Sequence, residues 1–140
     1  NNDEGAPRAG KIYIISGGNL SGDRNLAQAD FMITGNTENS SLGMYMASIK
    51  NFNNDTLDDF IISGRDFSDN NNSNKNYLWL KSDLLRKLSK SVPVDKANYI
   101  FSFQNPKESE VSVTSTDINN DGYGEIVMVG AVSIYLLDNK

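Results

Sequence analysis

The 140 residues include no cysteine and no histidine. Without cysteine the chain has no disulfides, thiolate metal sites or thiol nucleophiles, although many secreted bacterial domains also lack it and compartment stays open on that ground. Without histidine, Ser-His-Asp and Cys-His nucleophilic schemes and imidazole metal sites cannot be built, which removes most hydrolase templates. Basic charge is also short: 13 Lys and Arg stand against 18 Asp and Glu, a formal net charge of -5. No basic run offers nucleic acid a footprint, and a cation suits the chain better. No apolar run approaches the roughly 20 residues of a membrane-spanning helix. The opening "NNDEGAPRAG" has neither an initiator methionine nor a signal-peptide pattern, so the sequence reads as a processed or excised part. The glycine-rich "SGGNLSGD" (16–23) lacks the GK[ST] ending of a phosphate loop and reads as a turn.

What is present is strand-like. Short runs rich in Ile, Val, Tyr and Phe, bounded by Gly, Asn, Asp and Ser, predict strands over 11–16, 30–35, 44–49, 59–64, 76–81, 98–103, 110–115, 125–130 and 132–137. Only "SDLLRKLSK" (82–90) predicts a helix, with Ser82 or Asp83 as its cap and Leu84, Leu85 and Leu88 on one face. The Asn-rich "DFSDNNNSNKN" (66–76) reads as a solvated loop. Trp79 and the other aromatic residues fall at strand positions, where such side chains fill the space between packed sheets.

Self-comparison gives a repeat. "NFNNDTLDDFIISG" (51–64) lies over "DINNDGYGEIVMVG" (117–130) at an offset of 66 residues, and the match extends upstream as "MYMASIKN" over "EVSVTSTD". Each unit reads strand, acidic loop, strand, turn, strand, and units of this kind point to propeller-like or stacked architectures. In the second loop Asp117, Asn119 and Asp121 alternate, followed by the carbonyl of Tyr123 and by Glu125, with Gly122 where the backbone turns. Calcium takes six to eight oxygens from such alternate positions plus a backbone carbonyl. An EF-hand fails, because its twelfth position carries a bidentate Glu and here holds Met128 within a strand-like run. The first loop offers Asn51, Asn53, Asp55, the carbonyl of Leu57 and Asp59, with Thr56 in place of the glycine. With two carboxylates against three it is expected to bind more weakly. The alternative for both is an Asx-rich hairpin turn that needs no ion. Asp58 and Asp59 are sequence neighbours, so a strand points them to opposite faces and they make a poor catalytic pair.

These pieces resemble the FG-GAP repeat of integrin α-subunit β-propellers and their bacterial relatives. "SLGMYMASIKNFNNDTLDDFIISG" and "SVTSTDINNDGYGEIVMVG" match the family's strand, calcium loop and strand, and "GAPRAGKIYIISG" (5–17) matches the tail of a preceding repeat. "ISG" and "MVG" stand where the family favours "GAP". The resemblance implies an all-β partial propeller of four-stranded antiparallel blades: 1–35 the end of one blade, 42–104 a full blade and 110–140 most of a further one. It implies bound Ca2+, no catalysis, an extracellular or periplasmic location, and a protein partner or remaining blades to cover the open edges. The implied role is a recognition or adhesion scaffold; an accessory propeller of a secreted enzyme and a structural calcium-stapled module in a multi-chain assembly are the alternatives.

Overall fold

A computed structural model describes residues 6–18, 22–23, 25–66, 73–86, 89–103, 112–130 and 134–137. Among the described residues ten strands form: β1 (Lys11–Ile14), β2 (Phe31–Thr34), β3 (Met46–Ile49), β4 (Asp59–Asp66), β5 (Ser73–Trp79), β6 (Ser91–Pro93), β7 (Tyr99–Phe103), β8 (Ser112–Thr116), β9 (Glu125–Val129) and β10 (Ile134–Leu137). The chain is all-β. Three sheets result, with strand orders β1-β2-β6, β3-β4-β5-β7 and β8-β9-β10. Pairing is antiparallel throughout except between β2 and β6.

The order of stacking follows from β4. Successive strand side chains point to opposite faces, yet Ile61 and Ile62 are both 0 % exposed, so both faces of the four-stranded sheet are covered. Ile62 packs with Tyr77 and Trp79 against Ile33 of β2 and Val92 of β6. Ile61 packs with Ile49 and Leu78 against Val113 of β8 and Ile126 and Met128 of β9. The four-stranded sheet is therefore the middle layer. Trp79, fully buried, fills space between sheets as its strand position suggested.

The second strands of the two repeats repeat this logic. Phe60 and Ile62 face the first sheet, and their equivalents Ile126 and Met128 face the middle sheet. The first strands do not keep step. Ile49 pairs with Asp59, whereas Thr116, not Ser115, pairs with Glu125. A one-residue slip changes the face of every side chain on a strand. Ala47 thus lies opposite Ile61 while its sequence equivalent Val113 lies opposite Met128, so the upstream match of 44–51 with 110–117 does not carry into register.

Three further expectations are corrected. Asp66 and residues 73–76 are strand rather than solvated loop, because main-chain pairing of β4 with β5 runs from Phe60↔Trp79 out to Asp66↔Ser73 whatever the polarity of the side chains; 67–72 lie outside the described residues. The helix, α1, spans Lys81–Arg86, so Ser82 and Asp83 sit inside it rather than capping it. Ser89 and Lys90 are not helical; the Lys90 carbonyl accepts from the Met32 amide at 2.7 Å as the chain enters β6. β6 itself was not foreseen. Residues 19–21 of the glycine-rich stretch, 110–111 of the strand expected over 110–115 and 132–133 of the last strand lie outside the described residues. Among the described residues no helix is long and apolar enough to cross a membrane.

Ile61→Ala should destabilise the fold by about 2–5 kcal/mol, since the cavity lies between two packed sheets, and Met46→Ala, at a side chain 63 % exposed, should change stability by less than about 0.5 kcal/mol. Urea unfolding of both variants checks the middle-layer assignment, and equal losses would contradict it.

Candidate functional site

Each acidic loop joins the first strand of its hairpin to the second. In the second loop the Asp117 carboxylate accepts from the amides of Asp121 (3.1 Å) and Gly122 (3.0 Å), and Asp121 accepts from the Tyr123 amide (3.0 Å) and the Asn119 side chain (3.1 Å). Glu125, the first residue of β9, reaches back to the Ile118 amide at 2.7 Å. The first loop repeats the scheme. Asn51 accepts from Thr56 (2.9 Å), Asp55 from Leu57 (2.9 Å) and the Asn53 side chain (2.9 Å), and Asp59 from Phe52 (3.0 Å). Left-handed φ angles also coincide, at Asn54 and Asn120 (both 59°) and at Thr56 (69°) and Gly122 (92°). Glycine adopts that region without strain, and threonine there is strained.

The ten sequence-predicted residues therefore fall into two equivalent loops. Among the described residues no three acidic side chains are gathered as a ready metal cluster. The carboxylates turn instead onto amides of their own loop, as the ion-free Asx-turn alternative describes. A carboxylate oxygen bonded to one amide keeps acceptor capacity, so these bonds do not consume the donors a hard cation requires.

The two loops differ at their last position, and the difference was not legible in the sequence. Asp59 is 1 % exposed, and both its oxygens are used: Oδ2 by Phe52 and Oδ1 by the Lys81 amide at 2.9 Å, where α1 begins. Glu125 is 2 % exposed, and its Oε1 is buried without a hydrogen-bond partner. A buried carboxylate oxygen left unmatched is costly. A divalent cation held by Asp117, Asn119, Asp121, the Tyr123 carbonyl and Glu125 would satisfy it, so the second loop fits the ion better than the first. Asp58 is exposed and precedes β4, whereas Asp59, the first residue of β4, is buried.

Sequence reading also missed what ties the loops together. The Gly124 amide donates to the Lys50 carbonyl at 2.8 Å, and the Tyr123 hydroxyl to Asn54 Oδ1 at 3.0 Å. A Cβ on Gly124 would stand 2.8 Å from Ser115 Oγ and 3.0 Å from the Lys50 amide nitrogen, so any larger residue here requires its neighbours to shift. No protein-family model, curated protein or solved structure matches the chain.

Burial holds the Asp59 carboxyl above its ordinary value of 3.8; the amides of Lys81 and Phe52 pull it down in part, and Asp55 pushes it up. The folded chain thus binds this proton more tightly than the unfolded chain, and stability falls as pH rises from 3.8 through the folded value. In metal-free buffer the melting temperature of Asp59→Asn relative to wild type should climb with pH across this window and then level off. A difference that stays constant from about pH 3 to pH 7 would contradict the assignment.

Proposed function

We propose that this chain is a calcium-stapled repeat module of FG-GAP propeller type, working outside the cytoplasm as a recognition or adhesion scaffold with no catalysis of its own. The observation that carries the reading is the duplicated loop: four equivalent hydrogen bonds and two equivalent left-handed residues recur 66 positions apart. In this reading β3-β4-β5-β7 is a whole blade, β8-β9-β10 three strands of the next, and β1-β2 the outer strands of the one before. The parallel pairing of β6 with β2 then stitches one blade to its neighbour.

The cation works as a staple. Asp117, Asp121 and Glu125 lie within nine residues and repel one another when all are ionised, and a doubly charged ion among them offsets that repulsion while pinning the hairpin. Binding to the folded state alone stabilises it by about 2.7 kcal/mol at a hundredfold excess over Kd, which for a chain of this size is roughly 8–10 °C in melting temperature. Calcium titration followed by thermal melting tests this. A gain of that order, mostly abolished by Asp121→Ala, is expected; a gain that survives the substitution would place the ion elsewhere, and no gain at all would contradict the reading.

A further inference from the structure

The first and middle sheets part at one end. Among the described residues β1 is the end strand of its sheet, with β2 as its strand partner. Beside its outer edge lies an apolar cavity of about 320 Å³ whose lining includes Ile12, Ile14, Met46, Ser48 and Phe60. Ile12, Ile14 and Phe60 also pack against the core between these two sheets, so the cavity is the open end of an interface already formed.

The other sheet interface shows how such a place is filled. Met46 pairs with Ile62 as Val113 pairs with Met128, and Ile62 and Met128 are repeat equivalents 66 positions apart, so Met46 and Val113 hold the same place in their sheets. Val113 is buried against Ile49 and Ile61, carried by β3 and β4 of the preceding sheet, whereas Met46 is 63 % exposed. The strand that would cover Met46 can be read from the counterparts of β1. In the middle sheet β5 carries β4 on one edge and β7 on the other, and in the third sheet β10 carries β9. The run Ile134-Tyr135-Leu136-Leu137 of β10 also resembles Ile12-Tyr13-Ile14-Ile15. On β9, Val129 stands opposite Ile134 and Val127 opposite Leu136; on β4, Ile61 stands opposite Leu78. Each partner strand turns β-branched side chains toward the face where the next sheet packs.

From this geometry we infer that the groove between β1 and β3 is a docking site for one extended peptide strand. The strand pairs antiparallel with the outer edge of β1 and turns alternate β-branched apolar side chains, of the kind at Val127 and Val129, onto Met46, Ser48 and Phe60. In such strand addition main-chain hydrogen bonds give affinity and the alternate side chains give selectivity. No charged side chain lines the cavity, so the inward positions of the occupant are uncharged. The inference rests on the repeat reading of the sheets above and is independent of the ion.

A synthetic peptide copying residues 122–131, GYGEIVMVGA, tests it when titrated in metal-free buffer into the full chain, followed by amide and methionine-methyl NMR. Saturable binding is expected, with the largest shifts and slowed hydrogen exchange at the amides of Lys11–Ile14 and a shift of the Met46 methyl. Met46→Glu, at an exposed position, should weaken binding about tenfold or more, and a peptide with aspartate in place of both valines should lose as much. No saturation by about 1 mM peptide overturns the inference. Shifts centred on β7 or β10, or binding indifferent to Met46→Glu, overturn it equally. Self-association that buries Met46 without peptide gives the groove to a second copy and overturns the assigned occupant. A melting curve of Met46→Glu that matches wild type establishes that it is folded; if it is not, Ser48→Trp, which fills the groove from an exposed position, makes the same comparison. Since the titration is free of metal, its failure leaves the calcium reading standing, and failure of the calcium reading leaves the groove.

Discussion

The constraint on which the loops depend is a buried carboxylate reaching backwards. Asp59 and Glu125 each open the second strand of a hairpin, are almost wholly removed from water, and accept the amide of the second loop residue. That bond closes the loop at its base and fixes where the strand begins. It also places a carboxyl group where solvation is poor, so its oxygens call for matched hydrogen-bond partners. In the first hairpin the start of α1 supplies a second amide; in the second, one oxygen is left over. The same device is thus completed by two amides in one repeat and by one in the other.

Packing transmits this local arrangement to the whole chain. The second strand that starts at each carboxylate also carries the pair of side chains that faces the preceding sheet, Phe60 and Ile62 in one repeat and Ile126 and Met128 in the other. Where a strand starts decides which of its residues are buried, because a slip of one position exchanges the faces. The difference in register between the first strands shows that the loops and second strands are the faithfully repeated part. The first strands adapt around them.

Legibility in the sequence followed the range of the interactions. Short runs rich in β-branched and aromatic residues, such as Lys11–Ile14 and Glu125–Val129, announced their strands, since composition and flanking turn residues are local signals. The acidic loops were visible because their donors lie within nine residues of one another. β6 left no such trace: Ser91, Val92 and Pro93 include one buried apolar side chain, and their partner β2 is some sixty residues away and parallel. The outer half of the β4-β5 hairpin was hidden for another reason. Asparagines at 74 and 76 read as turn residues, yet main-chain pairing carries them into the strand, where Asn76 is fully buried with its amide unpartnered. The Tyr123–Asn54 bond spans 69 positions and depends on the stacking of two sheets, so local pattern could not announce it.

The central claim is that the second loop closes around a doubly charged ion. A crystal structure determined in calcium, with anomalous scattering to locate the metal, tests it most directly. The account predicts one strong peak with oxygens of Asp117, Asn119, Asp121, Glu125 and the Tyr123 carbonyl at about 2.3–2.6 Å. Clear density for the loop with no peak, its carboxylates turned onto backbone amides and Glu125 Oε1 matched by a water, would contradict it.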